Sequence, residues 1–168
     1  MKYYQTRYLI GFAIILSLIS SSCWVYTFTP SVAGGANSIA IAAIDNSTAE
    51  YGLEDLLIDG LITEFERDNT LKVVPESQAD LVLSGAIKRY EHEPYTYDQT
   101  ETVTEYACRF TLQIRIGYTD SEKILWEDPG LTDFGLYSPG DGETQADGNQ
   151  RAADKIINEI MNRTVRGW

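Results

Sequence analysis

The sequence predicts a two-layer α+β sandwich: a mixed, mostly antiparallel sheet of about four strands with two helices on one face. Three observations carry this. Residues 102–118 alternate strictly, with Cys108, Phe110, Leu112, Ile114 and Ile116 on one side and Arg109, Thr111, Gln113 and Arg115 on the other. That is the pattern of a strand with one dry and one wet face. Residues 50–68 and 143–165 instead repeat their apolar side chains every three or four positions, which gathers them on one stripe of a helix. The order strand, helix, strands, helix then asks both helices to cover the single dry face.

Along the chain, residues 38–44 (SIAIAAI) place Ile39, Ile41 and Ala43 on one face and the small Ala40 and Ala42 on the other, a first strand. Asp45, Asn46, Ser47 and Thr48 end it and offer side-chain oxygens to cap a helix over 50–68. In that helix Leu53, Leu57, Leu61 and Phe65 lead the apolar stripe, acids crowd the first turn, and Gly60 marks a weak point or a close backbone approach. A short strand over 71–74 and a link to Ala79 follow. Residues 80–91 read as a strand in which Gly85 signals a bulge or a close approach. Residues 92–99 (HEPYTYDQ) are polar and interrupted by Pro94, so the strand is expected to end before them. After the long strand, residues 119–122 turn. A further strand starts at 123–126, with its continuation through Pro129 and Gly130 to Tyr137 left open. Residues 138–142 (SPGDG) form a loop before the second helix, expected over 143–165.

The first 22 residues have a different character. Lys2 and Arg7 precede an apolar run from Tyr8 to Ile19, and Ser20, Ser21, Ser22 and Cys23 follow. Twelve such residues rise only about 18 Å as a helix, short for a membrane span and suited to the apolar region of a signal peptide. Small residues before Cys23 leave a peptidase room to reach the backbone, and the thiol can accept a diacylglyceryl group. The expected organisation is a signal peptide over 1–22, a lipidated N-terminus and tether over 23–37 beginning at Cys23, and one periplasmic α+β domain over 38–168. Several acyl chains of the palmitate kind anchor a protein firmly where one would be marginal. Ser20 stands where bacterial lipoboxes usually carry Leu, and an ordinary secreted protein is the competing reading. With Cys23 acylated, Cys108 has no disulfide partner and reads as a small buried side chain in a strand.

Charge narrows the function. The chain has a formal net charge of −12. Without the first 22 residues, 11 of the 13 basic side chains remain against all 25 acidic ones, about −14. Such a domain repels phosphate backbones, so no nucleic-acid role is expected. Catalytic spacing is also missing: there is one histidine, His92, no HExxH, and neither Ser84-Gly85 nor Ser138-Pro139-Gly140 fits a nucleophile elbow. No enzyme, cofactor or metal site is expected. The minority feature is a set of cations on strands, Lys88, Arg89, Arg109 and Arg115. They pair with neighbouring acids or gather into an anion site.

Several segments in order resemble one family. Cys23 is closely followed by Tyr26-Thr27-Phe28, and the first strand leads into Ile44-Asp45-Asn46-Ser47-Thr48 and then Gly52-Leu53 opening a helix. Ala79-Asp80-Leu81-Val82-Leu83-Ser84-Gly85-Ala86-Ile87 is similar to an AD-apolar-x-L-x-G-x-I strand, with Tyr90 behind it. The long strand after Glu105-Tyr106, the Leu125-Trp126 strand and a helix ending at Trp168 complete the order. Together these resemble the lipopolysaccharide-assembly lipoproteins, the LptE-like proteins of Gram-negative outer membranes. The resemblance implies a non-catalytic lipoprotein, anchored in the outer membrane on its periplasmic side. It also implies a partner, an LptD-like β-barrel translocon that the protein plugs and helps to assemble, and contact with lipopolysaccharide on its way outward. Lys88, Arg89, Arg109 and Arg115 are the candidates for an anion or lipopolysaccharide contact. The alternative is a lipoprotein subunit of a secretion or stress-response assembly with a similar α+β domain.

Overall fold

The computed structural model describes residues 35–166. They form strand β1 (Ser38–Asn46), helix α1 (Leu53–Asp68), strands β2 (Lys72–Val73), β3 (Leu81–Tyr97), β4 (Val103–Tyr118) and β5 (Ile124–Tyr137), and helix α2 (Gln145–Met161). The strands make one five-stranded sheet in the order β2-β1-β3-β4-β5. β1 runs parallel to both β2 and β3, while β3, β4 and β5 are antiparallel neighbours. Parallel neighbours need a long crossover, and α1 supplies the one between β1 and β2. The fold class is the expected one, with five strands in place of about four.

The core lies between the sheet and the two helices. The dry side of β4 (Cys108, Phe110, Leu112, Ile114 and Ile116) is fully buried. Leu57, Leu61 and Phe65 of α1 and Ile156 and Ile160 of α2 meet it with no exposed surface. Two glycines allow the layers to close. A Cβ on Gly60 would fall 2.4 Å from Ile157 Cδ1, and one on Gly135 would fall 2.1 Å from the Gly148 carbonyl oxygen. Gly60 is therefore a close approach between helices, and Gly135 is where α2 presses its backbone onto β5.

Several local expectations are corrected. In β1 the register shifts between Ile41 and Ile44, so Ile39 and Ile44 reach the core while Ala43 is exposed. The bulge slips the alternation by one position, opposite the flexible backbone of Gly85. Helix α1 begins at Leu53, not 50, and Gly52 at φ 80° precedes it without a side-chain cap. The expected capping oxygens are occupied within their own loop. Asn46 accepts from the Thr48 amide and hydroxyl, and its Nδ2 donates to the Glu50 carbonyl and to Glu54 Oε2.

Strand β3 does not stop before His92; it continues to Tyr97, with Pro94 paired opposite Tyr106. Past Ile87 it has no β1 neighbour, and an edge strand tolerates proline. Likewise β5 runs unbroken through Pro129 and Gly130 because a bulge opposite Gln113 absorbs them. Helix α2 starts at Gln145 and passes into a π-helical turn over Asn162–Arg166. The Asp147 carboxylate accepts the Thr144 amide and hydroxyl at 2.7 and 2.8 Å, which fixes the start of α2.

Candidate interaction surfaces

The parallel run of β1 and β3 gives the domain two ends. At one end the chain enters β1, and Asp80 at the mouth of β3 holds Asn37 and Ser38 there. Its Oδ2 accepts the Asn37 amide at 2.8 Å, the Ser38 amide at 3.1 Å and the Ser38 hydroxyl at 2.9 Å. The bond from the Asn37 amide, helped by Ser38, holds this carboxyl below its ordinary pKa. An open cleft of about 330 Å³ lies beside it, lined by Ala36, Asp80 and Thr119 among others. Cys23, the expected acylation site, lies outside the described residues.

At the opposite end β3 and β4 project as a hairpin. Beyond the Pro94–Tyr106 and Tyr106–Tyr137 pairs the hairpin has neither β1 nor β5 beside it. Its base is tied to the body by polar and aromatic groups. Tyr90 donates to Asn149 Oδ1 at 3.0 Å and accepts from Gln145 Nε2 at 2.8 Å, and Gln145 also reaches Glu50 Oε1 at 3.1 Å. His92 and the Tyr137 hydroxyl share a hydrogen bond of 2.8 Å, and both rings pack against Tyr106. Burial pushes the Tyr90 and Tyr137 hydroxyls above the usual tyrosine range. Composition and periodicity gave no sign of this network, because its members come from five segments and follow no apolar period.

The tip is fixed by one side chain. Asp98 Oδ1 accepts the Thr100 amide and hydroxyl, both at 2.7 Å, and the Thr102 amide at 2.9 Å. These bonds, that of the Thr100 hydroxyl first, hold the Asp98 carboxyl below its ordinary pKa. Glu101 takes the left-handed conformation, φ 62°, needed to close the turn.

The four strand cations lie on or beside the wet face of the sheet without forming one cluster. Arg109 sits opposite Glu91 and Phe134, 3.8 Å from Glu91 and 3.9 Å from Glu93, with its guanidinium 4.8 Å over the Phe134 ring. Arg89 is 3.6 Å from the same Glu91. Arg115 lies six residues further along β4, about 20 Å away, opposite Ser84 and Glu127. Lys88 is exposed at a bulge. Neither Lys88 nor Arg115 has an ion pair among the described residues. Cys108 is a fully buried small side chain, as expected, with its thiol pushed up by burial. Among the described residues no group of His, Cys, Asp and Glu is placed to hold a metal, and no helix is long and apolar enough to cross a membrane.

Near its C-terminal end, β5 has two backbone carbonyls capped by side chains of α2. Arg151 of α2 donates to the Leu136 carbonyl at 2.6 Å, and Lys155 donates to the Phe134 carbonyl at 2.7 Å. Arg151 also pairs with Glu143, and this, with the Ser138 amide, lowers the Glu143 pKa to about 2. Capped carbonyls leave little for an incoming strand to pair with.

These features define a class: a two-layer α+β domain with an open hairpin at one end and the start of β1 at the other. The family model for lipopolysaccharide assembly, LptE, matches residues 36–164, and the chain belongs to that family. In fold it is similar to a protein from Xanthomonas campestris, at TM-score 0.59 and 14% identity over 77% of this chain and 84% of that one. It is also similar to a hypothetical protein from Chlamydia trachomatis, at TM-score 0.53 and 10% identity over 76% and 94% of the two chains. The dodecameric PelC from Paraburkholderia phytofirmans matches at TM-score 0.50 and 12% identity over 77% and 89%. At such identities the likeness is one of fold. A comparison with curated proteins gives no match.

Proposed function

We propose that this protein is a non-catalytic outer-membrane lipoprotein, acylated at Cys23 and held on the periplasmic side, that binds an LptD-like β-barrel translocon. There it fills the barrel's lumen or periplasmic mouth and assists lipopolysaccharide assembly. The observation that carries this reading is the family match across residues 36–164. Charge supports it. A mature chain with net charge about −14 suits a cationic barrel interior better than the phosphates of a glycolipid. Lys88 and Arg115, the strand cations without an ion pair among the described residues, are the side chains that would meet a lipopolysaccharide phosphate; Arg89 and Arg109 already face Glu91.

Depletion tests the reading. Surface lipopolysaccharide and folded barrel should both fall, and antibiotic permeability should rise. If both stay normal while another envelope assembly fails, the protein is a subunit of that assembly instead, a reading that the fold likeness to dodecameric PelC favours. Cys23→Ala should leave the protein unprocessed or soluble, since acyl chains contribute about 0.8 kcal/mol per buried methylene. Normal processing and membrane partition of that variant would remove the anchor.

A further inference from the structure

We infer that the β3–β4 hairpin end is the partner-docking element, its exposed tyrosines seating on a Lys/Arg-rich protein surface of the barrel; this rests on the reading proposed above. Four large hydrophobic side chains are exposed among the described residues, and three belong to this end. Tyr97 is 57% exposed on the free part of the hairpin, and Tyr95 is 50% exposed, with its ring centroid 5.7 Å from that of Phe134. Tyr51 is 93% exposed in the β1–α1 loop, next to Glu50, which Gln145 ties to the hairpin base. Tyrosine at the surface costs little conformational entropy to immobilise and offers both an apolar ring and a polar tip, which is why it anchors interfaces.

The hairpin is prepared for docking in two further ways. Asp98 fixes the tip, so little order remains to be acquired on binding. Strand addition along β3 is also guarded against. Lys88 sits at a bulge, Pro94 offers no amide, and the register shifts again on either side of Thr96. A partner therefore meets side chains, not backbone.

Charge selects the partner's chemistry. Between Arg89 and Arg109 stand Glu91, Glu93, Asp98, Glu101 and Glu105, and neither Lys nor Arg. A phosphate-bearing glycolipid, an anionic bilayer or a second copy of this end would be repelled. Lys and Arg side chains on a protein would find both carboxylates and tyrosine faces. Geometry agrees, since the hairpin leaves the domain at the end opposite Asn37 and the start of β1.

The test uses the full-length protein in cell envelopes. A photocrosslinking side chain at position 97 should capture the barrel, whereas one at position 66, exposed on α1, should not. Tyr95→Ser combined with Tyr97→Ser should lower barrel co-purification about tenfold or more, the loss expected when interface tyrosines are truncated. Tyr97→Ser alone should weaken co-purification with the unfolding midpoint unchanged, because its ring is exposed, whereas that of Tyr95 also packs on Phe134. If wild type brings down the barrel and the double variant does so equally well, the docking role is overturned while the proposed function stands. Capture of lipopolysaccharide from position 97 overturns it in favour of a glycolipid site. If wild type brings down no barrel, both readings fall.

Discussion

The helix-covered half of the sheet and the projecting hairpin are made from the same two strands, but different forces hold them. In the lower half, Leu83, Ile87, Leu112 and Ile114 lose all contact with solvent against α1 and α2. In the upper half, residues 92–95 are exposed on successive positions. Pairing continues there because a turn closed by Asp98, a Thr96–Glu105 hydrogen bond of 2.7 Å and the His92–Tyr106–Tyr137 stack replace the missing core. Burial sets the stability of one half, and local polar bonds set the shape of the other. Substitutions in the two halves should therefore divide into those that unfold the protein and those that only disarm it.

The largest effect should come from the buried half. Leu112→Ala should cost about 2–5 kcal/mol in denaturant unfolding, while Gln113→Ala, one step away on the wet face, should cost well under about 1 kcal/mol. Equal costs would break the division at its root. Gly135→Ala comes next, at about 1–3 kcal/mol, because its Cβ meets the Gly148 carbonyl and the Ala152 amide, which are backbone and cannot turn aside.

Asp98→Ala should cost about 0.5–1.5 kcal/mol and sharpen the comparison. Amide exchange should quicken across 95–105, with 110–116 still opening only on global unfolding. Protection lost equally in both regions would mean the two halves form one cooperative unit. Smallest is the acid response. Glu143 titrates at about 2 when folded against an ordinary 4.5, so its contribution is complete above pH 4.5 and fades as pH falls towards 2. Asp80 and Asp98 are lowered in the same direction. Glu143→Gln should flatten this part of the stability profile between pH 4.5 and 2, and an unchanged slope would remove the ion pair from the account.

Legibility in the sequence follows the same division. β4 could be read residue by residue because burial on one face prints a period of two on the chain. Between His92 and Tyr97 both faces are wet, so no such period exists, and Pro94 argued for a break that an edge strand does not need. The phase slip at Ile41–Ile44 was hidden because small alanines fit either face. Of the candidate site, the strand cations could be found by type. Their arrangement could not, because it depends on register: Arg109 meets Glu91 and Phe134 across two different strand pairs. The Tyr90–Gln145–Glu50 contact joins residues far apart in the chain and obeys no local rule.

The parallel pairing of β1 and β3 also has a mechanical consequence. A force applied between Asn37 and the tip of the hairpin pulls β1 one way along its axis and β3 the other. Six residue pairs, from Ile39–Leu81 to Asn46–Ile87, then carry the load together in shear. No pair can be peeled open before the next, and the Asp80 grip on Asn37 and Ser38 lies at the first point of strain. Pulled from these two points, the described domain should yield only when the whole ladder slides, not pair by pair.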